Sequence, residues 1–231
     1  MGKLFTLDQS TDVQEVGSLG AFLAHAVREG MAVVDGFILP IDCGLQDGVS
    51  NELHRAFEQL GTPTVILRAS LIDNFTDGEV IRGVDQQRLI GAITYMQANA
   101  ARRNEKVAIV IQKTLNAEVA GTVYSINPAT RDPGEILIEA DLWMGNTVLA
   151  GDSDTDMVLV NKRSGAISLE NKSEDEICVS AEQVEKLYSM TRKVERFTAF
   201  PAYIDWAFDN GKLYIIRIGP MDWDIYQEFN S

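Results

Sequence analysis

A stretch near the end of the chain, residues 202–222, places two opposite charges inside two apolar runs. Asp205 lies within "AYIDWAF" and Arg217 within "KLYIIRIG", and an Asp-Asn-Gly turn signal separates them. A carboxylate can bind a divalent cation, a guanidinium can bind phosphate, and the two can also form a plain ion pair on a hairpin. If residues 209–211 form a three-residue loop, Tyr203 faces Arg217 directly and Asp205 is its diagonal neighbour.

Two glycines, Gly17 and Gly20, lie at the start of the first predicted helix, in the segment "EVGSLGAFL". Backbone N–H groups at such a turn can cradle a phosphate, because they point at the ligand and share the positive end of the helix dipole. A tight turn without a ligand has the same sequence pattern, so both interpretations stay open.

Polar residues also lie at the ends of predicted strands or within them. The strand "VILRAS" ends in Arg68 and Ser70, and "GTVYSINP" ends in Ser125 and Asn127. Ligands often approach the ends of strands, although a surface arginine in such a position is equally ordinary. Glu139 lies within the apolar strand "EILIEA" and needs a partner or water if it is buried. A half-exposed or edge strand explains it as well.

The elements that would position these residues change in kind near residue 105. Before it, helices accompany short strands, and the segment "NFTDGEVIRGV" is typical of a loop. After it, apolar strands predominate, with one capped helix and a hairpin around Ser164-Gly165. We therefore predict an α+β chain with a mixed α/β first lobe, residues 1–105, and a mostly antiparallel second lobe, residues 106–231. The predicted helices cover residues 18–29, 51–60, 85–103 and 181–197.

The composition argues against several classes of function. Lysine and arginine number 20 against 34 acidic residues, and the net charge of −14 repels nucleic acid and anionic lipid. No apolar run is as long as a membrane span, and the first residues contain no apolar signal core, so we expect a cytoplasmic protein with no membrane partner. Cys43 and Cys178 match no metal or CxxC spacing and are expected to be reduced thiols.

The order of five blocks resembles the N-terminal nucleotide-binding domain of the phosphoenolpyruvate synthase and pyruvate phosphate dikinase family, which rifampicin phosphotransferase shares. The blocks are "EVGSLGAFLAHAVREGMAVVDGFIL", "VILRAS", "VAIVIQKTLNAEVAGTVYSINPAT", "EILIEADLWMGNTVLAG" and "YIDWAFDNGKLYIIRIGPM". The resemblance implies an ATP-grasp-like fold, in which two lobes hold ATP between them. It spans nearly the whole chain, in a form that is shortened between residues 40 and 50.

The resemblance also implies roles for single residues. In that family the first loop and the strand tips contact phosphate, and the hinge strand, here "VAIVIQK", holds adenine through backbone groups. Oxygen ligands in the last hairpin hold a divalent metal, and Asp205 matches one of them. The nucleotide-binding or phosphate-binding residues that the resemblance implies are Gly17, Gly20, Arg68, Ser70, Gln112, Ser125, Asn127 and Glu139.

Several residues of the family pattern are replaced in this chain. The phosphate-binding Gly-Gly-Lys is Gly17-Ser18-Leu19 here, so the lysine is lost, and Gly-Leu-Gly-Glu is replaced at residues 143–146. In the last hairpin, Arg217 takes the place of a Gln ligand, and Asp205 takes the place of a longer Glu. We expect Arg217 to pair with Asp205 and to disrupt the metal site. ATP stays a candidate ligand, whereas Mg²⁺ binding is expected to be impaired.

Three functional hypotheses are consistent with this pattern. The first is a non-catalytic or weakly nucleotide-binding subunit that acts with a protein partner, either a phosphotransferase-type subunit or a second copy of the chain. The second is an active ATP-binding subunit of a split phosphoenolpyruvate-synthase-like phosphotransferase, in which Arg68, Glu139 and Asp205 still work. The third is a protein-interaction module with a closed cleft. In this third case the acidic, aromatic tail at residues 222–231 either docks on a partner or packs on its own domain.

Overall fold

The computed structural model describes residues 4–45, 48–72, 78–142, 155–170, 178–198 and 200–221. The replaced motif at residues 143–146 and the tail at residues 222–231 lie outside the described residues. The chain divides into two compact units, Met1–Leu115 and Asn116–Ser231. In the part of the chain that is described, no helix is long and apolar enough to cross a membrane.

In its described residues, the first unit forms a five-stranded antiparallel sheet and three helices. The elements are β1 (Phe5–Thr6), α1 (Val13–Arg28), β2 (Gly36–Leu39), α2 (Val49–Gln59), β3 (Val65–Leu71), β4 (Val80–Val84), α3 (Leu89–Arg102) and β5 (Val107–Lys113). The strand order is β1-β2-β5-β3-β4, so β5 is central, as its continuous apolar sequence indicates. The predicted boundary near residue 105 precedes β5, whereas β5 pairs with β2 and β3 and is part of the first unit.

The two faces of this sheet pack against different helices, because side chains alternate along each strand. Leu67 of β3 and Ile109 of β5 point into the main core, which α2 and α3 cover. The opposite face meets α1, where Gly20 approaches Ile38 of β2 and the Ser70 hydroxyl bonds to the α1 backbone. The main core also contains Phe37, Leu39, Leu53, Phe57, Val65, Leu89, Ile93, Met96 and Ile111.

The second unit, as far as it is described, is a six-stranded antiparallel sheet with one helix. The elements are β6 (Val119–Tyr124), β7 (Glu135–Leu142), β8 (Asp156–Asn161), β9 (Ile167–Glu170), α4 (Ala181–Phe197), β10 (Ala202–Asp209) and β11 (Lys212–Pro220). The strand order is β11-β10-β6-β7-β8-β9. The predicted capping box at the start of α4 is confirmed, because Ser180 and Gln183 each accept the other's backbone N–H.

One face of the second sheet is apolar and packs against α4, and the other carries polar residues. Trp206 and Phe208 of β10 are fully buried, and their rings meet edge to face with centroids 5.7 Å apart. The neighbours Asp205 and Ala207 point to the opposite face by alternation. The α+β, ATP-grasp-like architecture is confirmed. The loop predicted for the segment after residue 73 is wrong in part, because this segment contains β4.

Candidate functional site

The hairpin that carries Asp205 and Arg217 has a shorter turn than the sequence predicts. Asp209 pairs with Lys212, so Asn210 and Gly211 alone form the turn. Both have positive φ angles, 51° and 71°, as the two central residues of a type I′ turn require. The three-residue loop considered for residues 209–211 is therefore not formed, because Asn-Gly is the preferred pair for the tighter turn.

A β-bulge farther along β11 adds one unpaired residue to the hairpin. Trp206 pairs with Ile215, but its neighbour Asp205 pairs with Arg217, so Ile216 is the extra residue. Without the bulge, strict alternation would turn the Arg217 side chain to the apolar face beneath α4. The bulge instead brings Arg217 directly opposite Asp205, where the sequence predicted only a diagonal neighbour.

Four side chains on the polar face form a line across four strands, which we call the polar row: Arg217, Asp205, Thr122 and Glu139. Each is the direct cross-strand neighbour of the next, on β11, β10, β6 and β7. Arg217 Nε donates to Asp205 Oδ2 at 2.6 Å, and Thr122 Oγ1 donates to Asp205 Oδ1 at 2.8 Å. Asp205 is only 4% exposed, so this carboxylate is buried, hydrogen-bonded and paired.

Two tyrosines and a glycine support the polar row. The Tyr124 hydroxyl donates to Glu139 Oε2 at 3.3 Å, which supplies the partner that a carboxylate on an apolar strand needs. The Arg217 guanidinium lies over the Tyr203 ring, with Cζ 4.8 Å from the centroid. Tyr203 faces Gly219 rather than Arg217, and a Cβ on Gly219 would lie 2.6 Å from the Tyr203 hydroxyl oxygen. A larger residue there would displace the ring under the guanidinium.

The polar row does not fit the divalent metal that the family resemblance implies. Both oxygens of Asp205 already accept a hydrogen bond, one of them from a fixed cation. Coulomb's law gives roughly 4 kcal/mol of repulsion for two unit positive charges about 4 Å apart at an effective dielectric near 20, and a divalent ion doubles it. Mg²⁺ also prefers a near-octahedral set of oxygens, and Arg217 supplies none. Among the described residues, no three His, Cys, Asp or Glu side chains form a group that could hold a metal.

In the first unit, Gly17 and Ser70 close the turn that the family resemblance implies to be a phosphate loop. Gly17 interrupts α1 with φ 67° and ψ 175°, and a Cβ there would lie 2.2 Å from the Ser70 carbonyl oxygen. The Ser70 hydroxyl sits across this kink, donating to Val16 O at 2.7 Å and accepting from Gly20 N–H at 3.1 Å. Close packing thus explains why both positions are glycine, and the Gly20 N–H already donates to the Ser70 hydroxyl.

Arg68, Ser70 and Gln112 lie on the same face of the first sheet, the face that meets α1. Arg68 and Ser70 alternate on β3, and Gln112 of β5 is opposite Ile66, so the parity is shared. Their exposed fractions are 6%, 1% and 2%. The fold therefore places these three predicted residues on one face as buried polar side chains. The Gln112 amide donates to Val34 O at 3.4 Å.

Two other predicted residues, Ser125 and Asn127, hold the turn after β6. Ser125 exchanges two hydrogen bonds with Ala202, its N–H donating to the carbonyl and its hydroxyl accepting from the N–H, both at 2.8 Å. Asn127 Nδ2 donates to Glu135 Oε2 at 2.8 Å, while its Oδ1 accepts the Ala129 N–H at 3.0 Å. Both side chains are nearly fully buried, and these bonds account for them without a ligand.

The β5 backbone, predicted as an adenine-binding hinge, is paired on both sides. Residues 109–112 pair with β2, and residues 107–113 pair with β3. The Lys113 N–H donates to Asp35 O at 2.9 Å, and the next N–H, of Thr114, donates to Thr64 O at 3.2 Å. The strand itself therefore cannot offer these backbone groups to a base without giving up sheet hydrogen bonds.

Sequence reasoning missed Thr122 and Tyr124, which connect the polar row across β6. The signal was present in "GTVYSI", where Thr122 and Tyr124 alternate with the buried Val123. A polar residue on one side of an alternating strand marks the face that does not enter the apolar core. What the sequence does not contain is the strand order, which places β6 between β10 and β7.

Both cysteines are free thiols in environments that oppose ionisation. Burial raises the pKa of Cys178 to about 12, and its hydrogen bond to Asp156 adds to the effect. The Cys178 N–H also donates to Asp156 Oδ2 at 2.8 Å. Burial is likewise the main cause that raises the pKa of Cys43, followed by the charge of Glu52. Neither thiol has the surroundings of a nucleophile.

Residues 89–177 match the family model described as "Pyruvate phosphate dikinase, AMP/ATP-binding domain". Among curated proteins, the chain is 29% identical over 136 residues to "Uncharacterized phosphotransferase YvkC" of Bacillus subtilis, covering 50% of this chain and 16% of that protein. It is 26% identical over 161 residues to the phosphoenolpyruvate synthase of Pyrococcus furiosus, covering 55% of this chain and 20% of the relative. The chain thus spans only a small part of these relatives' length.

Among solved structures, the chain is similar to the D-alanine–D-alanine ligase of Bacillus anthracis complexed with ATP. The TM-score is 0.51 at 14% identity, covering 86% of this chain and 53% of the ligase. The ligase of Helicobacter pylori matches with a TM-score of 0.50 at 11% identity, covering 89% and 54%. At this level of identity the likeness concerns the fold. The chain therefore has an ATP-grasp fold and is similar, over residues 89–177, to the AMP/ATP-binding domain of pyruvate phosphate dikinase.

Proposed function

We propose that this chain is a nucleotide-binding ATP-grasp domain that does not transfer phosphoryl groups by itself and acts with a protein partner. The observation that carries the proposal is the buried Asp205–Arg217 pair, with Nε and Oδ2 2.6 Å apart. Phosphoryl transfer depends on positioning and on cations that neutralise developing charge. Here a guanidinium bonded to a carboxylate occupies the position where the family pattern has a metal ligand.

The first unit supports the same conclusion independently. The turn at Gly17 lacks the lysine of the family pattern, and its Gly20 N–H is bonded to Ser70. A nucleotide can still meet Arg68, which is buried on β3 and is the cation retained from the family's phosphate-contacting strand tip. Retained binding with lost transfer is the combination that these substitutions favour.

The partner is proposed because nucleotide binding without phosphoryl transfer has an effect only through another protein that responds to it. The relatives include a Bacillus subtilis phosphotransferase and the Pyrococcus furiosus phosphoenolpyruvate synthase, which favours a partner of the phosphotransferase type. We propose a phosphotransferase-type protein, or a second copy of this chain, as the partner. Light scattering after gel filtration reports self-association, and titration with a purified phosphotransferase candidate reports the other case.

Calorimetry with ATP, ADP and AMP, together with an assay for released phosphate and AMP, tests the function. We expect binding without turnover. Arg68→Ala is expected to abolish binding, and the exposed Arg82→Ala on the neighbouring strand β4 is the matched control. Circular dichroism checks that Arg68→Ala folds, and Arg68→Lys serves if it does not.

Two results would overturn the proposal in different directions. Phosphoryl transfer by the purified chain, lost in the Arg68 variant, would make it an active subunit of a split phosphotransferase. No binding of any nucleotide at millimolar concentration would leave the ATP-grasp fold as a protein-interaction module.

A further inference from the structure

We propose that this chain binds its nucleotide without a divalent cation and prefers metal-free nucleotides with one or two phosphates. The inference rests on the proposed nucleotide binding and names the form of the ligand. It starts from the observation that the polar row does not fit the divalent metal of the family pattern. Arg217 supplies a positive charge that is part of the chain, where a metal would supply one that can dissociate.

The backbone bulge and two side-chain contacts fix the Arg217 guanidinium in its place. The bulge at Ile216 turns the side chain to the polar face, Asp205 accepts its Nε at 2.6 Å, and the Tyr203 ring lies beneath it at 4.8 Å. The side chain is only 14% exposed, so it cannot swing into solvent without losing both contacts. A metal would have to approach a carboxylate whose two oxygens are already bonded, one of them to a cation.

The charge of the polar row sets the charge of the ligand. The row holds one guanidinium, from Arg217, and two carboxyl groups, from Asp205 and Glu139. It has no surplus of positive charge with which to neutralise a triphosphate stripped of its metal. The whole chain adds a net charge of −14, which repels each further phosphate. A mono- or diphosphate carries less charge and therefore meets less repulsion.

The inference predicts a particular dependence on Mg²⁺, which calorimetry can measure for AMP, ADP and ATP in EDTA and in millimolar Mg²⁺. We expect AMP and ADP to bind with affinities that Mg²⁺ changes by less than about twofold, and ATP in EDTA to bind more weakly than either. AMP is the sharpest probe, because a single phosphate binds Mg²⁺ poorly and its own charge hardly changes.

Substitutions at Arg217 test whether the guanidinium is the cause. Arg217→Gln removes the charge and adds an amide oxygen, and we expect nucleotide binding to become at least about tenfold tighter with Mg²⁺ than with EDTA. Arg217→Lys keeps the charge and is expected to stay insensitive to Mg²⁺. Lys212→Gln removes an exposed charge from the same strand and is the control for a general loss of positive charge.

A readout without nucleotide completes the test. Millimolar Mg²⁺ is expected to leave the melting temperature of the natural chain unchanged and to raise that of Arg217→Gln. If the natural chain binds Mg-ATP at least about tenfold more tightly than ATP in EDTA, the inference is wrong while the proposed function stands. If no nucleotide binds under either condition, the proposed function itself fails, and the inference fails with it.

Discussion

Asp205 and Arg217 form a buried ion pair across β10 and β11, and a bulge one residue away determines that they meet. The distance of 2.6 Å, the second hydrogen bond from Thr122 and the ring of Tyr203 make the pair one unit. Replacing one member of such a pair destabilises the fold strongly, because the other member stays buried with its charge uncompensated. The pair therefore contributes to the fold, and in our proposal it occupies the position where the family pattern has a metal ligand.

A double-mutant cycle on this pair measures that contribution. We expect Asp205→Asn to lower the free energy of unfolding by about 3 kcal/mol, because Arg217 is left charged beside a neutral amide. The double variant with Arg217→Gln should lose less than the sum of the single variants, with a coupling of about 1–3 kcal/mol in urea denaturation. The exposed Glu182–Lys186 pair on α4 is the control and should show little coupling. Additive losses at Asp205 and Arg217 would mean that the pair does not act as a unit.

Deletion and insertion at Ile216 test the register of the hairpin. Deleting Ile216 places Arg217 directly after Ile215, so simple alternation still sets Arg217 opposite Asp205 on the polar face, and we expect this variant to fold with little loss of stability. Inserting an alanine after Ile216 moves Arg217 one position on, to the apolar face under α4. We expect that variant to lose at least about 3 kcal/mol or to fail to fold, since a charge would enter the core without a partner. Equal losses of the two variants in the same thermal melts would contradict the proposed register.

Gly17→Ala and Gly30→Ala separate backbone strain from steric contact. Both glycines have positive φ, 67° and 73°, but only Gly17 has neighbours in the way, with Ser70 O 2.2 Å from an added Cβ. Gly30→Ala should therefore cost about 1 kcal/mol from strain alone, and Gly17→Ala clearly more. Chemical denaturation of the two variants side by side gives the difference. Equal costs would show that α1 can move away from Ser70.

Thiol labelling tests the environment of Cys178 in a Cys43→Ser background. A pKa raised from 9.0 to about 12 leaves on the order of a thousandfold less thiolate at pH 8, so iodoacetamide should modify the native thiol far more slowly than the urea-unfolded chain. The unfolded thiol ionises first as the pH rises, so the contribution of Cys178 to stability should fall between about pH 9 and 12. Native labelling as fast as in urea would refute the burial.

The sequence is sufficient to predict elements that local rules decide. The capping box at Ser180 places the start of α4 at the correct residue, and the continuous apolar run in β5 predicts a central strand. The sequence predicts that the first helix begins near residue 18, but α1 begins at Val13, because Asp12 caps the earlier start and Gly17 kinks the helix without ending it. A glycine with positive φ normally ends a helix, and here tertiary hydrogen bonds from Ser70 compensate for it.

The polar row could be predicted only in part, because its assembly depends on register. The pairing of Asp205 with Arg217 follows from the charges, but the bulge at Ile216 lies within Ile-Ile-Arg-Ile and carries no glycine or other local signal. With the two-residue turn and regular alternation, Arg217 would face the apolar side of the sheet. The bulge at Ile216 returns Arg217 to the polar side, opposite Asp205. Thr122 joins Asp205 through strand order, which is a property of the whole sheet.

The Ser70 bridge also constrains the order in which the first unit can fold. Its two partners, Gly20 N–H and Val16 O, lie 50 and 54 positions earlier in the chain, so α1 cannot satisfy them from its own residues. Each half of α1 can form from nearby residues within microseconds, whereas their junction needs a docked β3. The kink at Gly17 thus gains these hydrogen bonds only once β3 has docked, and the final shape of α1 depends on the sheet that it covers.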